Sequence, residues 1–261
     1  MPALPPFEFP EVRPGEPMVM SASTFVAFER CRDQALGRMR GIYGRESRAS
    51  FVGGLAHRIF ARHLESGPIP ESGLVAACRQ EIGEGMNPKL GSLGLKPSQL
   101  RAVIEEVGDL YDRFRVVTTD GFEGAEVMME SKPAEGLTLR GSIDAVFEGD
   151  GGVRLVDWKT GGIGEPLIQL GFYAMLWALD RGEIPSRVEA VSVGTGERLD
   201  AVPSHHDLVE TAGRVAGAVS TMRAAFETGD GLERRAGPWC RWCPLLDDCD
   251  EGRAATDILG R

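Results

Sequence analysis

The sequence lacks three features that would each assign it to a particular class of protein. No apolar run in its 261 residues approaches the roughly 18 residues of a membrane-spanning helix. The stretch from Met1 to Phe7 lacks the basic and then apolar segments of a secretory signal peptide. No G-x-x-x-x-G-K-S/T loop occurs, so no P-loop motor is encoded. We therefore expect a cytoplasmic protein that has no membrane partner and no motor of its own.

Positive charge is also scarce. The chain has 29 Lys and Arg against 39 Asp and Glu, which gives a formal net charge of −10. Affinity for phosphate backbones comes largely from Lys and Arg, so a nucleic-acid-binding protein of this composition needs local basic patches or a partner protein. The composition is otherwise that of an ordinary globular protein, with 42% hydrophobic and 26% charged residues.

Chemically informative residues are concentrated between Gly141 and Tyr173. Alternating apolar residues on both sides of a Gly/Asp-rich turn predict a β-hairpin. Its first strand would present one apolar face, and apolar residues return on the second strand: Leu137, Leu139, Ile143 and Phe147, then Val153, Leu155 and Val156. Strand side chains repeat every second position, so Asp157 and Lys159 share a face, and the facing strand can bring Asp144 beside them.

Two neighbouring carboxylates repel each other unless a cation lies between them. Mg²⁺ or Mn²⁺ suits such an oxygen-rich site and usually takes only one or two carboxylates from the protein. A nearby lysine could then orient or deprotonate an attacking water while the metal stabilises charge on a phosphate. The alternative is that Asp144 and Asp157 are solvated residues on the polar face of a hairpin, and Asp-x-Lys alone does not decide between the two.

Three adjoining motifs make the pattern more specific. They are Gly141-Ser-Ile-Asp144, Asp157-Trp-Lys159-Thr-Gly161 and Gln169-Leu-Gly-Phe-Tyr173. In this order and spacing the sequence resembles the PD-(D/E)XK nuclease superfamily, in particular its RecB-type branch. The resemblance implies that Asp144 and Asp157 bind the metal, that the Trp158 carbonyl adds an oxygen and that Lys159 is the catalytic lysine.

The resemblance implies further site residues. RecB-type nucleases carry a G-x-x-x-H helix whose histidine joins the metal, and Gly53-Gly-Leu-Ala-His57 fits this pattern loosely. Gln169 and Tyr173, at positions i and i+4, share a helix face and could both reach the site. Glu130, on a predicted strand over residues 124–132, is an auxiliary candidate. Outside the resemblance, His57 and Tyr173 would be interpreted as packed residues, and Gln169 and Glu130 as solvent-facing ones.

Cysteine spacing indicates a second metal site. Five cysteines in a cytoplasmic protein do not indicate a disulfide framework, but Cys240-x-x-Cys243 followed by Cys249 can bind one metal centre. A distant cysteine followed by such a terminal run resembles the iron-sulfur nucleases of the AddB type and the CRISPR-associated RecB-like exonucleases. The resemblance implies that Cys31 supplies the fourth thiolate to a structural 4Fe-4S cluster. Zinc is the competing occupant, because the sequence does not separate the two metals.

The predicted fold is α/β: a PD-(D/E)XK, restriction-endonuclease-like core with a short mixed sheet flanked by helices. Residues 1–20 are expected to form an extended arm, and 21–120 a helical portion that contributes Cys31 and His57. Residues 121–230 would form the nuclease core and 231–261 the cysteine-rich tail, all in one compact unit. Within the helical portion, periodicity predicts helices over residues 24–37, 50–64, 72–86 and 97–119, with a loop over 87–96.

These features predict a metal-dependent DNA exonuclease with a structural 4Fe-4S cluster, acting in DNA repair or recombination on single strands or duplex ends. It would act alone or beside a helicase. One alternative is a CRISPR-adaptation nuclease that trims DNA ends with the same residues. A second is a non-catalytic DNA-binding or assembly subunit with a four-cysteine metal site. The acidic charge suggests a third, a zinc-stabilised interaction module unrelated to DNA.

Overall fold

A computed structural model describes residues 5–259. Its strands are β1 (Met18–Ser21), β2 (Phe122–Ala134), β3 (Leu137–Gly149), β4 (Gly152–Lys159), β5 (Arg187–Ser192) and β6 (Arg198–Ala201). Its α-helices are α1 (Ala22–Arg30), α2 (Arg32–Met39), α3 (Arg48–Ser66), α4 (Glu71–Glu81), α5 (Asn87–Leu93), α6 (Pro97–Phe114), α7 (Leu167–Arg181), α8 (His205–Thr228) and α9 (Asp250–Leu259). A π-helical turn (Ile82–Met86) joins α4 to α5, and two 3₁₀ turns (Pro238–Trp242 and Leu246–Asp248) precede α9. No helix within this range is long and apolar enough to cross a membrane.

The strands form one mixed sheet, which confirms the predicted fold class. β2, β3 and β4 are antiparallel neighbours, and the β3–β4 pair is the predicted hairpin closed at Gly149 and Gly152. β5 lies parallel to β4, and β6 lies antiparallel to β5. β1 adds in parallel to the first residues of β3. The β4-to-β5 crossover contains α7, as a parallel connection requires.

Two apolar cores cover the two faces of the sheet. On one face, α1, α7 and α8 bury residues such as Phe25, Phe172 and Val219 against Leu155 of β4. On the other face, α3, α4 and α6 bury a second set that contacts Val156 of the same strand. Adjacent β4 residues thus belong to opposite cores, as alternation requires of a strand buried on both faces. The sheet is therefore the shared middle layer of a three-layer structure.

The predicted helices are present with changed boundaries. The predicted 24–37 helix is two helices, α1 and α2, because Cys31 adopts an extended conformation (φ −156°, ψ 110°) between them. Ser21 is the N-cap of α1, and its side chain accepts a hydrogen bond from the Thr24 N–H. The loop expected over residues 87–96 is wrong for Asn87–Leu93, which form α5.

The predicted extended arm is packed onto the core over its described part, residues 5–20, and its first four residues lie outside the described range. Phe7, Met18 and Met20 are buried in the α7–α8 core, and β1 begins at Met18. Arg223 of α8 fixes this segment. Its guanidinium is fully buried and donates to the carbonyls of Arg13, Glu16 and Glu135.

Replacing Arg223 with methionine is expected to destabilise the fold by about 2–4 kcal/mol, because three carbonyls lose a charged donor at once. Urea denaturation measures the change, with Arg101→Met on the exposed side of α6 as the matched control. Limited proteolysis should show the segment before β1 cleaved first in the Arg223 variant. Equal stability of the two variants would contradict this account of Arg223.

Candidate active site and cysteine group

The candidate site lies where the sheet splits. On one edge of β3, β1 pairs with residues up to Arg140, and β4 begins its pairing at Ala145. β2 occupies the other edge, so residues 141–144 lack a strand neighbour on the first edge. Oδ2 of Asp144 fills part of this gap by accepting a hydrogen bond of 2.6 Å from the Trp158 N–H. The carboxylate thus accepts the hydrogen bond that a carbonyl of a neighbouring strand would accept in a continuous sheet. This bond fixes the carboxylate where β3 and β4 separate.

Strands β2 and β3 both exchange faces at this level. Val127 and Ile143 pack in the α7–α8 core, whereas Ala125 and Ala145, two residues away, pack in the α3–α6 core. In a strand that alternates strictly, Ala125 would lie on the same face as Val127, and Ala145 on the same face as Ile143. Glu126 lies where the strand exchanges faces. Its φ is 48°, and no other non-glycine residue in the described range has a positive φ. Such strained backbone is typical of functional sites.

The exchange corrects the predicted hairpin face. Phe147 does not share a face with Leu137, Leu139 and Ile143; it packs in the α3–α6 core. The exchange also turns Glu126 toward Asp144. Together with His57 of α3, these residues form a group whose ligand atoms all lie within 4.8 Å of one another. Sequence reasoning missed Glu126, because the bend that brings it into the group depends on backbone conformation and not on a motif.

His57 reaches the group from the α3 side of the sheet. Its Nδ1 lies 3.1 Å from Oδ1 of Asp144, with the side chain about a quarter exposed. Imidazole and carboxylate groups can together hold a divalent cation, and the histidine favours Mn²⁺ over Mg²⁺. The structure therefore brings His57 and Asp144 together, as the resemblance implied.

Asp157 and Lys159 meet on the opposite side of the split, where α7 covers β4. Nζ of Lys159 lies 2.6 Å from Oδ2 of Asp157 and donates to Oε1 of Gln169 at 2.8 Å. Nε2 of Gln169 is 3.1 Å from Oδ1 of Asp157 and 3.0 Å from Oη of Tyr173. Gln169 and Tyr173, one turn apart on α7, thus complete a network around the acid and the amine.

Asp157 is incompletely satisfied by this network. Its Oδ2 is buried and has no hydrogen-bond partner in the described range, because the short contact to Lys159 lies off hydrogen-bond angles. Burial, and then the charge of Asp144, raise the pKa of Asp157 to about 6. A buried carboxylate oxygen of this kind is a fitting ligand for a cation.

The pKa shifts of the neighbouring groups report the same excess of negative charge. Desolvation, and then Asp144, raise the pKa of Glu126, although one side of the residue stays exposed. Burial is the largest influence on the pKa of His57 and lowers it, but Asp144, Glu126 and Asp157 together raise it, and the net shift is upward. A divalent cation would favour the charged carboxylates and neutral imidazole, and so would oppose all three shifts. The donor set fits such a cation.

Glu130 does not join this group. It lies opposite Arg140 in the β2–β3 pair, four residues or about 13 Å along the strand from Glu126. Its carboxylate is exposed and pairs with Arg140 at 2.5 Å and with Lys132 at 3.5 Å. Those cations lower the pKa of Glu130, with the Arg140 hydrogen bond as the largest cause. Glu126 occupies the place in the site that the sequence led us to expect for Glu130.

The end of β4 that carries Lys159 is held by the β5–β6 connection. The Lys159 carbonyl accepts from the Val193 N–H at 2.7 Å, and Oγ of Ser192 donates to the Gly161 carbonyl at 2.5 Å. A Cβ at Gly194 would overlap the Thr160 carbonyl, so only glycine permits this close approach. The loop after Lys159 is therefore fixed by backbone contacts.

The four cysteines of the predicted second site line one cavity. Cys31 reaches it from the break between α1 and α2, and Cys240, Cys243 and Cys249 from the turns before α9. All four are free thiols. Burial is the largest cause that raises the pKa of Cys243, and the other three cysteines add to it. The Gly237 and Gly252 N–H groups donate to Cys240 and Cys249 at 3.4 and 3.3 Å.

The cysteines are brought together by contacts of other residues. The buried Asp33 of α2 accepts from Nε of Arg234 at 2.9 Å and from the Leu232 N–H at 3.1 Å. Arg234 also donates to the Asp248 carbonyl, next to Cys249. These bonds hold the tail against α2 across about 200 residues of sequence. Within the described range, the group around Asp144 is the only one with three ligand atoms within 4.8 Å of one another. No three of the four cysteine sulfurs are therefore that close together.

Comparison with known proteins agrees with this geometry. Residues 19–250 match the family model of the PD-(D/E)XK nuclease superfamily. The Gene 69 protein of Mycobacterium phage D29 is 35% identical over 95 residues, which span 36% of this chain and only 35% of that protein. The crystal structure of a candidate exonuclease from Eubacterium rectale superposes with a TM-score of 0.55 and 17% identity, covering 90% of this chain and 87% of that one, and so shares its fold. The chain belongs to the PD-(D/E)XK nuclease superfamily.

Proposed function

We propose that this protein is a divalent-metal-dependent DNA exonuclease of the RecB-like type, acting in DNA repair or recombination. One observation carries the proposal: His57, Glu126 and Asp144 meet at the split of the sheet, and Asp144 is bonded to the N–H of Trp158, the residue between Asp157 and Lys159. Solvated acids on a hairpin face would not need a histidine from α3 and a strained glutamate to converge on them.

His57, Glu126, Asp144 and Asp157 would hold the cation. The N–H of Trp158 faces Asp144, and the N–H and C=O of one strand residue point to the same side, so its carbonyl would add an oxygen. A bound divalent cation would stabilise the charge that develops on the scissile phosphate. The buried Oδ2 of Asp157 supports this assignment, because its ion pair with Lys159 is not a well-directed hydrogen bond and a cation would offset the free energy that burial of the carboxylate costs.

Lys159 is the proposed catalytic residue. Its ammonium would orient the water that attacks phosphorus, or its neutral amine would accept a proton from that water, with Gln169 holding Nζ in place at 2.8 Å. Tyr173 is a positioning residue: it is buried and fixes Gln169 from the next turn of α7. DNA, as single strands or duplex ends, is the proposed substrate, and a helicase or a CRISPR-adaptation protein is a proposed partner.

The experiment is a nuclease assay with the purified chain on end-labelled single- and double-stranded DNA. Mn²⁺ or Mg²⁺ should support stepwise shortening from an end, and EDTA should stop it. Products that begin with internal cuts would contradict the exonuclease mode. Absence of cleavage with either metal would contradict the proposed function and favour the non-catalytic subunit.

We further propose that Cys31, Cys240, Cys243 and Cys249 bind a structural 4Fe-4S cluster. Tetrahedral zinc at about 2.3 Å from each sulfur would require sulfurs about 3.8 Å apart. Within the described range no three of these sulfurs lie within 4.8 Å of one another, which leaves room for an inorganic group larger than one zinc ion. The N–H donors to Cys240 and Cys249 would stabilise the bound thiolates. The cluster would join the first two helices to the tail.

Substitution of Cys31 by serine is expected to abolish cluster binding and to lower the melting temperature, because one ligand joins the cluster to α1 and α2. Iron and sulfide analysis of anaerobically purified protein, with its visible absorption, measures the effect. The buried Cys78, which lies in the α3–α6 core, provides the control variant Cys78→Ala. One zinc per chain, with neither iron nor sulfide, would contradict the proposed cluster.

A further inference from the structure

A cleft of about 870 Å³ opens beside the candidate metal group. α3 forms one wall, and α4, the π-helical turn and α5 form the other. His57 and Glu126 line its inner end. These two residues also belong to the metal group, so the cleft is continuous with the candidate active site.

Two arginines follow His57 along the α3 wall. Arg58 and Arg62 are one turn apart, about 6 Å along the helix axis. Their side chains are 40% and 35% exposed. The distance between them is comparable with the spacing of neighbouring phosphates along an extended nucleic-acid strand. The pair therefore forms a short row of cations that leads away from the metal group.

Glu81 of α4 holds both arginines in position. Its two carboxylate oxygens lie 3.0 Å from Arg58 and 3.5 Å from Arg62, and Gln80 accepts a further bond from Arg62. The carboxylate is only 12% exposed, so it lies behind the guanidinium groups. Each guanidinium has five N–H donors, and these contacts use one nitrogen of each. The other donors are available to a ligand in the cleft.

Residues with small side chains leave space in and around the cleft. A Cβ at Gly85 in the π-helical turn would overlap Nη2 of Arg58, so the absence of a side chain leaves room for the guanidinium. Gly53, Gly54 and Ala61 leave the α3 wall without bulky side chains. Glu65 and Glu84 also line the cleft. Lys89 lines the cleft too, 3.8 Å from Glu46, but the acidic residues outnumber the basic ones, so the overall charge does not favour anions. Arg58 and Arg62 are the cations that follow the metal group along α3.

We propose that this cleft binds a single DNA strand, with Arg58 and Arg62 contacting consecutive phosphates on the way to the metal group. The inference rests on the proposed nuclease function and names the strand path of that same site. α4, the π-helical turn and α5 form a wall opposite α3, so we expect the cleft to favour a single strand over a duplex. The paired arginines position the substrate and take no part in the reaction itself.

The test is binding of a fluorescently labelled thymidine oligonucleotide to the full chain with Mg²⁺, in a Lys159→Ala background that prevents degradation. Arg58→Gln/Arg62→Gln should weaken binding on the order of tenfold and lower the salt-dependence slope by about 0.7 per lost contact. The matched control is Arg101→Gln/Arg198→Gln, which removes the same charge from exposed positions outside the cleft. Equal affinities and slopes for the two double variants would overturn the proposal.

The double variant removes both partners of Glu81. If it fails to fold for that reason, a third variant provides the same test. Arg58→Gln/Arg62→Gln/Glu81→Gln removes the buried carboxylate with its partners and should show the same loss of affinity. A labelled duplex is the second probe, and binding as tight as that of the single strand would also overturn the proposal. Failure of the proposed function looks different, because the wild-type chain would then cleave no DNA with either metal.

Discussion

Replacing Lys159 with alanine is expected to reduce DNA cleavage by roughly 10²–10³-fold, the usual effect of removing one group that stabilises charge in a transition state. Its ammonium is the group placed to act on an attacking water, and Asp157 and Gln169 hold it in position. Single-turnover rates on end-labelled DNA at saturating Mn²⁺ measure the effect. Lys159 is about a quarter exposed, so its truncation should leave the fold intact.

The same variant has a second expected consequence. The Lys159 charge lowers the pKa of Asp157, against burial and Asp144, which raise it to about 6. Without that ammonium the pKa of Asp157 rises further, so protons compete with the metal up to a higher pH. Lys132→Ala on β2 is the control, because that exposed lysine pairs with Glu130 on the surface. Cleavage by Lys159→Ala at the rate of this control would remove Lys159 from the mechanism.

Much of the candidate site could be predicted because it is encoded locally. Asp157 and Lys159 share a face through strand periodicity, and Gln169 and Tyr173 share one through helix periodicity. These rules need only a few neighbouring residues, and the structure brings all four side chains into one network. The mixed sheet was predicted less directly, as part of the fold that the resemblance to PD-(D/E)XK nucleases implied.

Other features depend on contacts that a local pattern does not contain. β1 forms only because Met18–Ser21 pair with β3, more than 100 residues away, and its apolar residues alone are too few to mark a strand. Cys31 interrupts a continuous helical pattern because tertiary contacts turn the chain toward the tail, where Asp33 meets Arg234. Such long-range contacts override local propensity.

The exchange of faces in β2 and β3 explains why the sequence pointed to Glu130 and did not single out Glu126. Along an ideal strand, Glu126 and Glu130 lie on the same face and are equivalent candidates. The split of the sheet at Asp144 bends both strands at one level and gives Glu126 its positive φ, while Glu130 remains in regular pairing beside Arg140. The two glutamates therefore differ in their position relative to the bend in the sheet, and not in residue type.

Replacing Glu126 with glutamine is therefore expected to weaken Mn²⁺ binding by about 10²-fold and to reduce cleavage at limiting metal in proportion. Glutamine keeps the size of the side chain but removes the charge that would meet the cation beside His57 and Asp144. Isothermal titration with Mn²⁺ measures the affinity. Saturating metal should restore part of the activity, because the other ligands remain.

Glu130→Gln provides the matched comparison on the same strand. It removes the same charge, but its carboxylate pairs with Arg140 and Lys132 on the surface, so metal affinity and cleavage should stay at wild-type values. Only a small loss of stability is expected from breaking these exposed ion pairs. Equal losses of Mn²⁺ affinity in the two variants would mean that Glu126 is not a ligand. The strained backbone at Glu126 would then need a different cause, since a strand does not hold φ 48° at a glutamate without a compensating interaction.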